Sequence, residues 1–292
     1  MERAHMNVPG TNPDRIVLTV KDGIADVRLT REDKRNALDS EMFSSIAAMG
    51  EHIRTLNNVR VVVLSGKGAS FCAGLDFASF HTMAAGGSAT GFKKDGQFNA
   101  GSLSDDGLTH LAQKICWIWQ QIPVPVIAAI HGHALGGGIQ LALGSDIRFV
   151  HPDTQMSVRE IYWGIIPDMT GTLTLSRLVR PDIAKELVFT GKIIDGREAF
   201  AIGLATHLSD EPYMAAMGLA AEIASRNPHA VRAAKHLLNL QANAGAADQF
   251  AAERQQIFAL MGSPNQKEAV AAHFEKRAAV FSDPDRAQEP SR

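Results

Sequence analysis

HGHALGGGIQLALGSD, residues 131–146, is the stretch that decides how the chain is interpreted. It places three successive glycines, Gly136 to Gly138, between a hydrophobic run and a segment with helical apolar spacing. Glycine has no Cβ, so the backbone here can approach a ligand closely. The first amides of the following helix have no intrahelical partner and lie at the positive end of its dipole. The simpler interpretation is that the glycines only permit a tight turn between strand and helix.

A second glycine-centred stretch, GASFCAGLDF at 68–77, also follows a hydrophobic run. One backbone amide from each stretch can converge on a single oxygen that becomes negative during a reaction. Such a pair of donors is an oxyanion hole. The two stretches together favour a catalytic interpretation over a purely structural one.

Six sequence blocks together resemble the enoyl-CoA hydratase/isomerase (crotonase) superfamily, and the acid/base pattern is closest to its dienoyl-CoA isomerases. The resemblance extends from about residue 15 to residue 282. The blocks are REDKRNAL (31–38), SFCAGLDF (70–77), HGHALGGGIQLALGSDIR (131–148), SVREIYWGIIPD (157–168), TGKIIDGREAFAIGLA (190–205) and FEKRAAVF (274–281).

The resemblance implies an α/β fold in which a spiral of ββα turns, residues 15–205, holds the active site and the CoA. A C-terminal helical appendage, residues 206–282, is expected to serve oligomerisation and to cover the CoA pocket. Residues 1–14 and 283–292 are expected to be flexible termini. By analogy with the family, the chain is expected to form a homotrimer or a hexamer built as a dimer of trimers.

Bulk composition agrees with a soluble enzyme. A formal charge of −2 over 292 residues gives no electrostatic reason to expect nucleic acid or an anionic membrane as partner. Cys72 and Cys116 are the only thiols and lack metal-ligand spacing, which favours a cytoplasmic location over a disulfide scaffold. Residues 1–14 lack a signal peptide's apolar core. The longest apolar run, IPVPVIAAI at 122–130, is too short to span a bilayer.

Strand signals come early in the chain and helix signals come late. Lys21-Asp22-Gly23 indicates a β-hairpin turn, and Asp195 with Glu198 has the spacing of a helix-starting capping box. Asn227-Pro228 and Gly262-Ser263-Pro264 are expected to interrupt the late helices. Predicted strands cover 16–20, 24–30, 59–66 and 126–132, and predicted helices cover 40–56, 107–121, 137–144 and most of 213–281.

The resemblance assigns the oxyanion-hole amides to Leu75 and Gly137, and the main acid/base residue to Glu160. A thioester's α- or γ-hydrogen becomes removable only if the enolate oxygen is stabilised while a base takes the proton. A glutamate in an apolar neighbourhood gains a raised pKa suited to that work. The alternative for Glu160 is a helix-end or salt-bridge carboxylate.

Two positions distinguish the reactions of the family. Its hydratases carry a second glutamate two places after GGG, where this chain has Gln140, whose amide can orient water or substrate but cannot exchange protons. Asp168 matches the second carboxylate of the dienoyl-CoA isomerases, although those enzymes also carry aspartate at the Gln140 position. The alternatives are an ordinary polar residue on the helix for Gln140 and a turn or N-cap residue for Asp168.

The resemblance also implies where CoA binds. Because CoA is part of the substrate thioester, no separate cofactor and no metal are expected. Lys34 is a further candidate, though a solvated lysine is the commoner outcome. The implied CoA-binding set is Arg35, Ala37, Ala73, Leu75, Gly137 and Lys276.

Other polar and aromatic residues are expected to be structural. His131 and His133 lack further ligands at metal spacing, and Asp146 is expected to pair with backbone or with Arg148. The aromatic residues Trp117, Trp119, Tyr162 and Trp163 are predicted to line the core or an acyl pocket.

The favoured function is double-bond isomerisation of an enoyl- or dienoyl-CoA, with Glu160 as base and Asp168 as partner acid. Hydration of a 2-enoyl-CoA by Glu160, with Gln140 positioning the water, is the alternative reaction. A catalytically silent acyl-CoA-binding paralogue is the alternative outside enzymes. Residues 79–105, rich in Gly, Ser and Ala, are predicted to form a substrate lid or acyl-pocket wall.

Overall fold

The computed structural model describes residues 5–76, 107–241 and 246–284. Eight strands lie in these residues: β1 (Ile16–Lys21), β2 (Ile24–Leu29), β3 (Val61–Gly66), β4 (Val126–Ile130), β5 (His133–Leu135), β6 (Ile147–Val150), β7 (Gln155–Ser157) and β8 (His207–Leu208). Six of them form one sheet in the order β1-β2-β3-β4-β6-β8. Only the β1–β2 pair in this sheet is antiparallel. Strands β5 and β7 form a separate parallel pair.

Ten helices accompany the strands in the same residues: α1 (Ser40–Arg54), α2 (Leu111–Gln121), α3 (Gly137–Leu143), α4 (Gly171–Leu178), α5 (Pro181–Thr190), α6 (Gly196–Ala201), α7 (Pro212–Ala224), α8 (Pro228–Gln241), α9 (Ala246–Leu260) and α10 (Pro264–Glu275). Two short 3₁₀ turns, Glu32–Lys34 and Glu160–Trp163, complete the set. Within the described ranges, no helix is long and apolar enough to cross a membrane.

The predicted hairpin is confirmed. Strands β1 and β2 pair from Ile16 with Leu29 to Lys21 with Ile24. Asp22 and Gly23 between them have φ of 53° and 77°. Positive φ at both central residues is what a two-residue hairpin turn with the correct twist requires.

Strands β3 and β4 are covered on both faces, which explains their continuous apolar runs. Val62 and Leu64 belong to the main core together with residues of α1 and α2. Val61 and Val63 point the other way, into a smaller cluster with α7. Helix α7 contributes alanines spaced four apart to this contact: Ala216, Ala220 and Ala224.

Helix starts follow the capping residues. The Asp39 side chain accepts the Met42 amide at the start of α1, and Asp195 accepts the Glu198 amide at the start of α6, as predicted. Helix α2 begins at Leu111 rather than at the predicted residue 107. Gly107 has a φ of 64°, which is outside the α-helical region. The backbone at this residue is therefore not helical, although the apolar spacing of the sequence predicts a helix from residue 107.

The late helices break at the predicted prolines, since α8 begins at Pro228 and α10 at Pro264. The division at residues 205 and 206 stays a prediction. Helix α7, which lies after that division, packs on the six-stranded sheet.

A buried lysine joins α8 to the core. The Lys235 Nζ donates to the carbonyl oxygens of Trp119 and Val124 at 2.8 and 2.9 Å. It also pairs with the Asp146 carboxylate at 2.8 Å. Asp146 accepts the Val126 amide at 2.7 Å, so the expected backbone partner is correct. The sequence predicted that Asp146 would pair either with backbone or with Arg148. Its ion-pair partner is Lys235 instead.

Candidate active site

The glycine turn after β5 sets the start of α3. Gly136 is its N-cap with φ 53° and ψ −119°, a conformation that residues with a Cβ avoid. The Gly136 amide donates to the Ser157 carbonyl at 2.9 Å, which ties the turn to β7. Gly137 is the first helical residue, and its N–H donates to no acceptor within the described residues.

Leu75 presents its amide beside this turn. Leu38 pairs with Leu75 as neighbouring strands do. The Leu38 N–H donates to the Gly74 carbonyl at 2.8 Å, and the Leu38 carbonyl accepts the Asp76 N–H at 3.0 Å. In that pairing the Leu75 N–H points away from Leu38, and it too finds no acceptor in the described part of the chain. A Cβ at Gly74 would lie 3.6 Å from the Gly137 nitrogen. The two free amides therefore come from segments in direct contact, as the sequence blocks predict.

The glycines also have a packing role, which was the simpler interpretation. A Cβ at Gly138 would lie 2.1 Å from the Cys72 carbonyl oxygen. A Cβ at Gly137 would lie 2.9 Å from the Leu38 side chain and 3.0 Å from the Met169 sulfur. Close packing of the 72–75 segment on α3 is thus what brings the two amides together.

Glu160 lies at the start of the second 3₁₀ turn, next to the glycines. A Cβ at Gly136 would be 3.4 Å from its Oε1. The residue is only 6% exposed. Its Oε1 accepts the Gln140 Nε2 at 2.6 Å, while its Oε2 is buried with no hydrogen-bond partner in the described residues. The alternative of a salt-bridge carboxylate does not fit, since no cation pairs with it among those residues.

Burial is the main reason why the pKa of Glu160 is raised above its ordinary value. Hydrogen bonds from its own backbone and from Gln140 lower that pKa, and the negative charge of Asp168 raises it. A carboxyl with a raised pKa, with one oxygen held by a hydrogen bond and the other without a protein partner in the described residues, is suited to proton transfer.

Gln140 lies on α3 and is 1% exposed. Its Oε1 accepts two backbone amides, Met169 N and Gly171 N, each at 2.9 Å. Its Nε2 donates to Glu160. Gln140 is therefore not an ordinary polar residue on a helix surface, and its carbonyl oxygen is already occupied by protein donors.

Asp168 is exposed at the loop before α4, and its side chain makes no hydrogen bond or ion pair within the described residues. The N-cap of α4 is Thr170, with φ 69°, so the N-cap part of the alternative for Asp168 is wrong, whereas Asp168 does lie in a turn, at residues 168–170. The negative charge of Asp168 contributes to the raised pKa of Glu160.

Two of the implied CoA-binding segments, around Arg35 and Ala73, lie together beside the oxyanion amides, whereas no hydrogen bond joins Lys276 to them in the described residues. The Ala73 amide donates to the Arg35 carbonyl at 2.9 Å, and the Ala37 amide donates to the Lys34 carbonyl at 3.0 Å. Arg35 is exposed with a φ of 50°. Lys276 is the exposed C-cap of α10. Among the described residues, no hydrogen bond or ion pair links it to the other members of the set.

Two residues that hold these segments were missed by sequence reasoning. Arg31 pairs with Asp76 at 2.7 Å and donates to the Ala37 carbonyl at 3.0 Å. The buried Asn36 donates to the carbonyls of Lys67 and Ser70 at 3.0 and 2.8 Å. Both lie in the block REDKRNAL, so the block itself was the available signal.

The histidines and one tryptophan have structural positions, whereas two aromatic side chains after Glu160 lie on the surface. His131 and His133 bond to Gly68 O and Ser70 Oγ, which are structural roles. Trp119 is in the core as predicted. Tyr162 and Trp163 are 61% and 49% exposed, so they do not lie in the core, and their place in an acyl pocket stays a prediction. Glu160, the first residue of the 3₁₀ turn, is buried, whereas the apolar side chains that follow it are exposed. The predicted lid, residues 79–105, lies outside the described residues.

The fold and the site define an α/β enzyme of the crotonase type, with a buried glutamate beside the glycine turn and two backbone amides that have no acceptor among the described residues. The family model for enoyl-CoA hydratase/isomerase matches residues 19–284. YngF of Bacillus subtilis, which carries the same family name, is 33% identical over 272 residues, 92% of this chain and 98% of YngF. The human mitochondrial enoyl-CoA hydratase domain-containing protein 2 is 30% identical over 269 residues, 89% of this chain and 85% of its own.

A solved structure gives the same result for the fold. The crystal structure of enoyl-CoA hydratase from Bacillus anthracis superimposes with a TM-score of 0.78 at 28% identity, covering 91% of this chain and 98% of that one. The chain belongs to the enoyl-CoA hydratase/isomerase family, whose substrates are acyl-CoA thioesters. The predicted crotonase fold is confirmed.

Proposed function

We propose that the protein shifts a double bond in an enoyl- or dienoyl-CoA, with Glu160 as the base. The observation that carries this proposal is the buried Glu160 carboxyl, whose Oε1 lies beside the glycine turn and whose Oε2 has no partner among the described residues. The ionised Oε2 takes a proton from the α- or γ-carbon of the acyl group. The electron pair of that C–H bond moves toward the thioester carbonyl, whose oxygen becomes an enolate oxygen.

The amides of Leu75 and Gly137 stabilise that oxygen in the proposed mechanism. Neither has a described protein acceptor, and their segments touch. Donors fixed in advance at developing charge need no reorganisation during the reaction. The CoA moiety runs past Arg35, Ala37 and Ala73, whose backbones adjoin the Leu75 segment. We propose no separate cofactor and no metal, because the thioester itself supplies the enolate.

Asp168, in its protonated form, completes the isomerisation by giving its proton to the far carbon of the conjugated system, so that the enolate collapses with the double bond moved. Glu160 then loses the abstracted proton to solvent and the Asp168 carboxylate takes one up, which resets the pair. Support comes from the exposed position of Asp168 and from its electrostatic effect on Glu160. The assignment also explains an amide at position 140. Gln140 has its carbonyl oxygen filled by two backbone donors, so it lacks both a proton to exchange and a free acceptor for a water.

Hydration of a 2-enoyl-CoA remains the second candidate, favoured by the relative from Bacillus anthracis that bears that name. A silent acyl-CoA-binding role is the third. Purified protein assayed with 2-enoyl-, 3-enoyl- and dienoyl-CoA esters separates the three. Isomerised product supports the proposal, 3-hydroxyacyl product supports hydration, and binding without turnover supports the silent role.

The variant Glu160→Gln tests the base directly. Turnover on the best substrate should fall by about 10²–10⁴, the usual contribution of a general acid–base group. Binding of the same acyl-CoA, measured by calorimetry, should persist because the amide is nearly isosteric. Wild-type rates in a folded Glu160→Gln protein would remove Glu160 from the mechanism.

We also propose self-association as a homotrimer or hexamer, and a cytoplasmic location. An apolar surface beside Glu160 supports self-association, since exposed patches of this kind commonly mark interfaces. Sedimentation at several concentrations tests the assembly, and a monomer throughout would contradict it. The residues of the surface are Ile161, Tyr162, Trp163, Ile166, Phe189 and Ile193, all at least 44% exposed.

A further inference from the structure

One side-chain amide joins three parts of the site. Gln140 lies on α3, one turn after the oxyanion glycine Gly137. It donates to Glu160 Oε1 at 2.6 Å and accepts the amides of Met169 and Gly171 at 2.9 Å. The oxyanion helix, the base and the loop that carries Asp168 are thus held by the same group.

The fit around this amide is close. A Cβ at Gly171 would lie 2.5 Å from the Gln140 Oε1, so the Gly171 backbone approaches the amide as only glycine can. Both partners are buried. Two backbone donors fix the orientation of the amide, because reversing it would direct the NH₂ group at two N–H groups. The Nε2 must therefore face Glu160.

We propose that Gln140 is a positioning residue, whose amide holds Glu160 Oε1 and so fixes the carboxyl, with Oε2 left as the oxygen that no described protein group occupies. This role rests on the proposed function, in which Glu160 is the base. It replaces water positioning as the reason for an amide at this place. The same contact holds the Met169–Gly171 backbone next to Asp168, so both carboxyl groups depend on it.

A pH profile distinguishes this role from a merely structural one. The side chains that interact electrostatically with Glu160 in the described residues include Gln140, Asp168 and the Cys116 thiol. Gln140 is the one among these three that stabilises the ionised carboxylate, in addition to the backbone of Glu160 itself. Loss of the Gln140 hydrogen bond raises the pKa of Glu160. The base works ionised, so kcat/KM rises with pH through that pKa. The rise should therefore move to higher pH in the variant.

The experiment compares Gln140→Met with the matched control Gln120→Met. Gln120 also lies in a helix and donates one side-chain hydrogen bond, to the Gly144 carbonyl at 2.7 Å. Gly144 is the C-cap of α3, at the end of the helix opposite to Gly137. Gln140→Met should lower kcat by about 10², the cost of a reacting group displaced by roughly 1 Å. KM should stay near the wild-type value, and the acidic rise of kcat/KM should move to higher pH. Gln120→Met should show neither effect.

A second variant covers the possibility that Gln140→Met does not fold. In Gln140→Glu, one carboxylate oxygen can still accept Met169 and Gly171, while the other must share a proton with Glu160 Oε1. Two carboxyl groups at that distance titrate as a coupled pair, so the rise of kcat/KM should also move to higher pH.

An unmoved pH profile in Gln140→Glu, or in folded Gln140→Met with kcat within about twofold of wild type, would overturn the positioning role. Glu160→Gln, run alongside, separates this from a failure of the proposed function. If Glu160→Gln is inactive while the Gln140 variants are normal, the base stands and only the positioning role is lost. If Glu160→Gln is active, the mechanism itself is wrong.

Discussion

Replacement of Asp168 by asparagine separates the two enzymatic hypotheses most clearly. If Asp168 returns the proton at the far end of a conjugated acyl chain, Asp168→Asn should lower kcat by about 10²–10⁴. This corresponds to about 3–5 kcal/mol of transition-state stabilisation. Substrate affinity should change little, because the interaction is used only in the transition state.

The structure gives the size of the effect on stability. The Asp168 side chain is exposed, makes no hydrogen bond or ion pair within the described residues, and does not cap α4. Surface substitutions of this kind change the free energy of unfolding by about 0.5 kcal/mol or less. A loss of turnover in Asp168→Asn can therefore be separated from unfolding by a thermal melt.

The pH profile of kcat/KM gives a second, independent test of the Asp168→Asn variant. The charge of Asp168 raises the pKa of Glu160, so removing it lowers that pKa. The ionised base then persists to lower pH, and the acidic rise of kcat/KM should begin at lower pH than in wild type. This shift is expected whether or not Asp168 transfers a proton.

The assay is steady-state turnover of dienoyl-CoA against pH, with Asp210→Asn, another exposed aspartate, as control. A drop in kcat together with the shifted profile supports the two-carboxylate isomerase. A shifted profile with unchanged kcat leaves Asp168 as an electrostatic neighbour only. That second result would refute the isomerase mechanism, while the family membership and the oxyanion amides would stand.

The remaining predictions concern the oxyanion hole and the buried ion pair. Leu75→Pro removes one oxyanion donor and should cost about 10²–10³ in turnover, whereas Leu75→Ala keeps the backbone N–H and should be mild. Equal damage from both, in rates on the same substrate, would point to the side chain instead. Lys235→Met leaves Asp146 and two carbonyls without their donor. It should lower the free energy of unfolding by about 3–5 kcal/mol. Denaturant titration measures this, and a loss below about 1 kcal/mol would mean that the pair is readily replaced by solvent.

Most of the fold was accessible from local pattern. The hairpin at Asp22-Gly23 follows from turn chemistry, and the doubly covered strands β3 and β4 follow from their apolar runs. The placement of Tyr162 and Trp163 did not follow. Their apolar character predicts burial, but both side chains are exposed in the 3₁₀ turn that begins at the buried Glu160.

The candidate site divides in the same way. Leu75, Gly137 and Glu160 stand in recognisable blocks, so their positions could be named from the sequence. The partners of Gln140 are 29 and 31 residues away along the chain, on a loop without regular structure. No periodicity encodes such a contact, because it depends on how two segments meet after folding. The role of Gln140 therefore came from the structure.

The approach of Gly171 to Gln140 has a consequence for how this sequence can change over generations. A Cβ at residue 171 would reach within 2.5 Å of the amide oxygen, so glycine is required there while a long side chain fills position 140. A shorter residue at 140 would release that requirement and would also leave Glu160 unheld. Residues 140 and 171 are thus expected to change together during evolution. A sequence that loses Gln140 is also expected to lose Gly171 and the activity that depends on Glu160.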